Sequence, residues 1–112
     1  MSKESVLRLA AYHRGSLLTR DQGKRVREDI LALFEKHEHV AIEFEGVSEI
    51  TPSFADETLG RLLLDVGPAE FKRRIFLRAA SLDVKRLVNK VLAHREREWK
   101  EKEDKDPRKW AV

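Results

Sequence analysis

Three short segments of the chain have the apolar spacing that is typical of β-strands. Residues 5–12 alternate in part and precede Gly15, which favours a first strand there. A second strand is predicted at residues 40–45, where every second position is strongly apolar: Val40, Ile42 and Phe44. A third is predicted over residues 71–79, where four basic residues accompany Phe71, Ile75, Phe76 and Leu77. Elements this short are stable only when they share a sheet.

Three other segments repeat apolar residues at steps of three and four, as amphipathic helices do. The first helix begins at a capping box formed by Thr19 and Gln22 and is predicted to end near residues 36–39. The second follows Pro52 and ends at Gly67-Pro68, and Ser81 is predicted to cap the third. The apolar stripes are Val26, Ile30, Leu33, Phe34 and His37; then Ala55, Leu59, Leu62, Leu63 and Val66; then Val84, Leu87, Val88, Val91 and Leu92, continued by Trp99.

The alternation of strands with helices predicts an α/β fold, with a mostly parallel or mixed sheet and helices packed against it. Residues 1–94 are predicted to form this domain, and residues 95–112 a charged helical extension and tail. The extension is favoured by three i,i+4 pairs, which carry the third helix toward Pro107: Glu96–Lys100, Glu98–Lys102 and Glu101–Lys105. The ending Lys109-Trp110-Ala111-Val112 is apolar for a tail, so it either docks on the domain or a partner, or is disordered.

Composition narrows the class of protein. The chain has 112 residues, 41% of them hydrophobic, and no cysteine. This length fits one domain, and the absence of cysteine excludes disulfides, thiolate metal sites and a cysteine nucleophile. No apolar run approaches the roughly 20 residues of a membrane span, and the N-terminus lacks the apolar core of a signal peptide. We therefore expect a small, soluble, cytoplasmic domain.

The net charge of +3 conceals opposite blocks along the chain. Residues 38–71 contain eight acidic side chains with Arg61 as their one base, and residues 72–94 contain seven basic side chains with Asp83 as their one acid. The basic block is a candidate for nucleic-acid binding, through Lys72, Arg73, Arg74, Arg78, Lys85, Arg86 and Lys90. The alternative, which we favour, is that acidic and basic elements neutralise each other in the folded domain. No aromatic residues are interleaved with the basic block as they are in a stacking surface.

The segment Thr51–Glu57 carries the most information about function. Ser53 and Asp56 have the spacing of a capping box, with Ser53 as the cap of the second helix. The same geometry places the Ser53 hydroxyl at the carboxyl edge of a parallel sheet, where α/β domains commonly bind ligands. A phosphate on Ser53 would be attracted by the helix dipole and repelled by Asp56 and Glu57. The acidity of this segment favours a basic or donor-rich partner surface.

Other candidate chemistry is weaker. His37 and His39 lie at a helix–strand junction with no third ligand nearby in the sequence, so we expect no metal site. The adjacent residues Asp56 and Glu57 point about 100° apart on a helix, which disfavours an acid–base pair. Ser53 lacks the glycine elbow of hydrolases, and no phosphate-binding loop or dinucleotide motif is present. The sequence therefore predicts no catalytic residues and no cofactor.

Three blocks of sequence resemble the small bacterial family of STAS-like domains of uncharacterised function. They are Gly15-Ser16-Leu17-Leu18-Thr19-Arg20, Ile42-Glu43-Phe44-Glu45-Gly46-Val47 and Ile50-Thr51-Pro52-Ser53-Phe54-Ala55-Asp56-Glu57, the last being the most specific. The resemblance spans residues 15–78. This family is similar in turn to STAS domains of anti-sigma factor antagonists, in which a partner kinase phosphorylates a serine at a helix start. The resemblance implies an α/β fold and a protein-binding role, and it aligns Ser53 with the phosphorylated serine.

The leading hypothesis is a non-enzymatic regulatory or adaptor domain. Its implied partner is a protein such as an ATP-binding serine-kinase-like regulator, and Ser53 is its implied phosphorylation site. The residues expected to bind the partner are Thr51, Pro52, Ser53, Phe54, Asp56, Glu57 and Arg20. Arg20 is also expected to form an ion pair with the acidic 43–57 region. The alternative hypotheses are a nucleic-acid-associated module that uses the basic 72–90 segment and a homodimer formed through the helical extension with Trp99 and Trp110.

Overall fold

The computed structural model describes residues 3–13, 15–106 and 108. The elements in chain order are β1 (Glu4–Arg8), β2 (Gly15–Leu17), α1 (Arg20–Phe34), β3 (His39–Glu43), β4 (Val47–Ile50), α2 (Pro52–Ala55), α3 (Arg61–Val66), α4 (Pro68–Arg74), β5 (Ile75–Arg78) and α5 (Leu82–Lys105). A 3-10 turn follows β1 at Leu9–Ala11, and a π-helical turn at Asp56–Gly60 joins α2 to α3. The predicted α/β class and the extended C-terminal helix are confirmed.

The strands form two parallel groups. The order in the larger sheet is β1-β3-β5, with Leu7 opposite Ile42 and Ile42 opposite Leu77. The smaller pair joins β2 to β4, with Leu17 opposite Ile50. Parallel neighbours require crossover connections, which α1 supplies between β1 and β3 and the helices of residues 52–74 supply between β3 and β5.

The core lies between the larger sheet and the helices. Val26 and Ile30 on α1 and Leu62 on α3 are fully buried, as are Val40 and Leu17 on the strands. The apolar stripes that the sequence predicts are therefore the faces that the helices bury, since each stripe can leave water only against another element.

Two strand predictions were wrong in extent. β1 ends at Arg8 because its ladder partner β3 ends opposite it at Glu43, and the chain then turns to bury Leu9. The third predicted strand begins only at Ile75, because Pro68 starts α4 and residues 71–74 complete that helix. The basic residues of its last turn suit the negative end of a helix. The short strands β2 and β4 were not predicted.

The helix starts and stops follow local sequence signals. At α1, the Thr19 side chain accepts from the Gln22 amide and the Gln22 side chain accepts from the Thr19 amide, so the predicted capping box is confirmed. α1 ends at Phe34, slightly before the predicted end. The Ser81 hydroxyl accepts from the Val84 amide at 3.2 Å, which confirms the predicted cap of α5.

Two glycines allow helices to approach the π-helical turn closely. A Cβ atom on Gly23 of α1 would lie 2.9 Å from the Phe54 carbonyl oxygen and 2.9 Å from the Thr58 hydroxyl. A Cβ atom on Gly60 would lie 3.0 Å from Cγ of Arg95 on α5. These contacts bring α1 and α5 against the two sides of the segment that follows Ser53.

α5 crosses the predicted boundary between residues 94 and 95 as one continuous helix. Beyond that boundary, the Trp99 ring packs on Gly67, which holds the left-handed conformation that ends α3 (φ 90°). Lys102 pairs with Glu98 as the i,i+4 pattern predicts, whereas Glu96 pairs with Lys72 of α4 at 3.0 Å. The tail at residues 109–112, for which docking and disorder are the alternatives, lies outside the described residues, as does Trp110 of the dimer hypothesis.

Candidate functional site

Thr51, not Ser53, caps the second helix. The Thr51 hydroxyl accepts from the Phe54 amide at 3.1 Å and donates to the Leu18 carbonyl oxygen at 2.6 Å. Pro52 occupies the first helical position, where its missing N–H is unneeded, so the preceding residue becomes the cap. The predicted capping box of Ser53 and Asp56 was therefore wrong, and neither side chain is used for capping.

Ser53 lies instead on the wall of an open groove between the start of α2 and α5, called here the α5 groove. Its volume is about 1060 Å³. Ser53 is half-buried, and its side chain forms no hydrogen bond with the part of the chain that the structure describes. The groove is lined by Arg20, Pro52, Ser53, Asp56, Leu87, Lys90, Val91, His94, Arg95, Arg97, Glu98 and Glu101.

Asp56 is held at the base of this groove by two arginines. Arg95 donates from Nε to Oδ1 and from Nη2 to Oδ2, each at 2.7 Å, and Arg20 donates from Nη1 to Oδ2 at 3.0 Å. The hydrogen bonds from Arg95 lower the pKa of Asp56, against the opposing effect of burial, and Arg20 adds to the shift. A carboxylate in this setting is charged at neutral pH and stabilises the fold through its charge.

Glu57 is the buried carboxylate of the pair, at 7% exposure. Arg27 Nη1 donates both to Glu57 Oε2 and to the Glu57 carbonyl oxygen, each at 2.7 Å, and Arg61 lies 3.5 Å from the same carboxylate. Burial acts to raise the pKa of Glu57, but the hydrogen bond and charge of Arg27 outweigh it, with Arg61 and Arg20 assisting, and the pKa is lowered. The Glu57 side chain thus links the π-helical turn to α1 through Arg27.

Arg20 bridges the two carboxylates. Its Nη1 lies 3.0 Å from Asp56 and 3.4 Å from Glu57, which confirms the predicted ion pair with the acidic region. The hydrogen bond with Asp56 raises the pKa of Arg20. The arginine cluster (Arg20, Arg27, Arg61 and Arg95) therefore neutralises the carboxylates that follow Ser53. The acidity of this segment in the sequence is internal to the folded domain.

The residues predicted to bind a partner separate into a surface set and a supporting set. Pro52 is exposed, Ser53 is half-buried and Arg20 is exposed, and all three line the α5 groove. Phe54 is 2% exposed and packs in the core, while Thr51 caps the helix. Sequence reasoning missed Arg27 and Arg95, whose partners lie 30 and 39 residues away, because neither arginine belongs to a sequence motif that drew attention to it.

The basic 72–90 segment is partly neutralised within the domain. Lys72 pairs with Glu96, Arg73 with Glu70 and Arg78 with Glu4. Arg74 donates to the carbonyl oxygens at the end of α1 and lies over the Phe34 ring. The remaining members, Lys85, Arg86 and Lys90, are exposed and form no ion pair with the residues that the structure describes. Nucleic-acid binding stays a prediction.

The histidines at the helix–strand junction form no metal centre with the described residues, among which no group of three metal-ligating side chains occurs. The ring of His39 packs edge-on against Phe76, with 5.4 Å between centroids. Within residues 3–13 and 15–106, no helix combines the length and the apolar character that crossing a membrane requires.

Comparison with known proteins identifies a family. A family model described as a STAS-like domain of unknown function (DUF4325) matches residues 22–85, which include α1 from Gln22 onward, the whole Thr51–Glu57 segment and the start of α5. No curated protein and no solved structure matches the chain. Since the family model covers more than half of the chain, the protein belongs to the family of STAS-like domains of unknown function.

Proposed function

We propose that this protein is a non-enzymatic regulatory or adaptor domain that binds a partner protein at the start of α2 and along the α5 groove. The observation that carries the proposal is the position of Pro52 and Ser53, which lie accessible on the wall of a groove of about 1060 Å³. Thr51 and Phe54 fix the chain on either side, while Pro52 is exposed and the Ser53 side chain forms no hydrogen bond with the described residues.

The rigidity of the helix start supports a recognition role. Phe54 anchors the first turn in the core, Thr51 caps it, and the arginine cluster holds Asp56 and Glu57 from α1, α3 and α5. A π-helical turn is uncommon and occurs frequently at functional sites. A surface held in this way pays little conformational entropy on binding, which favours affinity.

We further propose that phosphorylation of Ser53 controls this binding, with a protein such as an ATP-binding serine-kinase-like regulator as the partner. The repulsion expected from Asp56 and Glu57 is reduced, because each carboxylate is already paired with arginine. Arg20 and Lys90 line the same groove as Ser53 and would attract a phosphate there. The modification would change the charge of the groove without displacing the core.

Site-directed crosslinking in the native host tests the proposed surface. A photo-reactive amino acid at position 52 is expected to capture a protein that the same group at position 36, exposed at the end of α1, does not capture. Ser53→Glu should abolish the capture at position 52, and phosphopeptide mapping of the chain from the host should locate the modification. Capture of the same proteins from both positions, or of none from position 52, would contradict the proposal.

A further inference from the structure

Some of the basic side chains that line the α5 groove form ion pairs within the domain, and others do not. Arg20 and Arg95 are engaged with Asp56, and Arg95 also donates to Glu98 at 2.8 Å. Lys90 and Arg97, by contrast, are exposed and form no ion pair with any residue that the structure describes. They line the groove together with Pro52 and Ser53. Glu101 is the one carboxylate of the lining that has no ion pair among the described residues, so the unpaired side chains of the groove carry an excess of positive charge.

An apolar strip accompanies these cations. Leu87 and Val91 line the groove on the α5 side and Pro52 lines it on the α2 side. Leu87 and Val91 are half-buried, so each keeps part of its surface in the groove while the rest packs on the core. The groove thus offers an apolar floor with a basic edge, a combination that suits an amphipathic partner segment rather than an isolated anion.

We propose that the α5 groove receives an acidic amphipathic helix from the partner protein. Lys90 and Arg97 are seven residues apart on α5, which places them on one face about 10.5 Å apart along the axis. Carboxylates seven residues apart on an antiparallel or parallel helix have the same spacing. An apolar side chain between them would meet Val91, and one beyond the carboxylate at Lys90 would meet Leu87. This inference rests on the proposed partner-binding function and adds the chemistry of the partner segment.

The size of the groove agrees with this occupant. A helix is about 10 Å across, so two turns that span about 10.5 Å fill on the order of 800 Å³. The groove volume of about 1060 Å³ accommodates such a segment. Since a phosphate on Ser53 would bring negative charge to the opposite wall, it would repel the acidic helix, and the modification would act as a release signal.

The same features disfavour a nucleic acid in this groove. Glu98 and Glu101 line the wall together with Lys90 and Arg97. A phosphate backbone presents negative charge at every nucleotide and would meet these carboxylates, whereas a helix can place apolar side chains there. Trp99 does not line the groove and packs on Gly67, so it provides no stacking platform within the groove.

Selection from a displayed library of helix-forming random peptides, with the full chain as the target, tests the inference. The selected peptides are expected to carry Asp or Glu at positions seven apart, with Leu, Ile or Val between them. Lys90→Glu combined with Arg97→Glu should raise the dissociation constants of the selected peptides by about tenfold or more, because two attractive charge pairs become repulsive. Synthetic peptides in which Lys replaces these acids should regain affinity for the double variant only.

Lys36→Glu serves as the matched control, because Lys36 is exposed and does not line the groove. Circular dichroism should show that the double variant is folded, since both replaced side chains are exposed. Selected peptides without paired acids, or peptides that bind the double variant as well as the native chain, would overturn the inference. If duplex DNA displaces the peptides from the native chain and does not bind the double variant, the inference would also be overturned and the groove would be a nucleic-acid interface.

The outcomes separate this inference from the proposed function. If the selected peptides fail to bind the Ser53→Glu variant but keep their affinity for the double variant, the proposed binding site at the helix start is supported and the acidic-helix inference is wrong. If neither change alters the affinity of the peptides, the proposed partner site itself is wrong.

Discussion

Arg95 and Asp56 form a two-point ion pair that joins α5 to the π-helical turn. Nε and Nη2 of the guanidinium donate to the two carboxylate oxygens, each at 2.7 Å, across 39 residues of sequence. Both side chains are less than one-fifth exposed. The aspartate of the sequence block that most resembles the STAS-like family therefore has a structural role, and it positions the helix on which the adjacent groove depends.

Replacement of Arg95 by alanine should destabilise the domain. The change leaves Asp56 with Arg20 alone and removes two charged hydrogen bonds to Asp56 and one to Glu98. We expect a loss of at least about 1.5–3 kcal/mol, the contribution of a hydrogen bond to a charged group. Arg95→Lys should recover less than half of this loss, because an ammonium cannot bond both oxygens in the same geometry. Urea unfolding measures the effect on the free energy of unfolding.

Arg97→Ala, at an exposed position two residues away, is the control and should change the free energy of unfolding by less than about 0.5 kcal/mol. Equal effects of the two alanine variants would contradict the assigned role of Arg95.

Acid should weaken the fold through Asp56. Because the folded pKa lies below the unfolded value of about 3.9, the ionised carboxylate stabilises the fold above that pH, and the stabilisation is lost as pH falls through the folded pKa. Asp56→Asn should therefore be less stable than the native chain at pH 7, and the difference should shrink as the pH is lowered below about 4. Urea unfolding at successive pH values measures this. Glu45→Gln, at an exposed carboxylate, should retain the native pH dependence, and a constant difference for Asp56→Asn would refute the prediction.

The elements that were predicted correctly have local signals. Thr19 and Gln22 lie three residues apart and cap α1 with no help from the rest of the fold. The apolar stripe that contains Leu59 and Leu62 repeats at steps of three and four residues, and only a helix places such residues on one buried face. The pairing of Arg20 with the acidic region was also expected, because Arg20 follows the cap of α1 and belongs to a block that resembles the STAS-like family.

The features that were missed depend on distant parts of the chain. Phe71 is buried like a strand residue but lies on α4, so burial alone could not separate the two structures. β2 has three residues and no alternation to detect, and its register is set by β4. The contact of Arg95 with Asp56 depends on how α5 crosses the π-helical turn, and no spacing along the sequence encodes that crossing.

Gly23→Ala should destabilise the domain even though alanine favours helices by up to about 1 kcal/mol over glycine. The added methyl would lie 2.9 Å from the Phe54 carbonyl oxygen and the Thr58 hydroxyl, so α1 must move away from the helix start. Overpacking of this kind costs about 1–3 kcal/mol. Thermal or urea unfolding measures the change. Lys24→Ala, at the exposed neighbouring position, should be nearly neutral, and a stabilised Gly23→Ala variant would show that the close approach is absent.

Thr51 and Ser53 should differ in their contributions to stability. Thr51→Ala removes the cap of α2 and the bond to the Leu18 carbonyl oxygen, and it should cost about 1–2 kcal/mol. Ser53→Ala should change the free energy of unfolding by less than about 0.5 kcal/mol, because Ser53 caps nothing. Thr51→Ser keeps the hydroxyl and should lie close to the native value. A larger loss for Ser53→Ala than for Thr51→Ala would restore the capping assignment that the sequence suggested.

Tyr12 should resist ionisation in the folded protein. Burial raises the pKa of its hydroxyl, and the hydrogen bond to Asp29 raises it further, so the neutral form stabilises the fold. This stabilisation is present below about pH 10, the ordinary pKa of tyrosine, and is lost as pH rises through the folded pKa.

Because the chain contains one tyrosine, ultraviolet difference absorbance reports this group alone. Asp29→Asn, which removes the negative charge but keeps an acceptor, should bring the transition closer to pH 10, while Glu28→Gln, its exposed neighbour, should not. Circular dichroism at each pH separates ionisation of the folded chain from unfolding. A native transition near pH 10 with the fold intact would contradict the buried, bonded position of this hydroxyl.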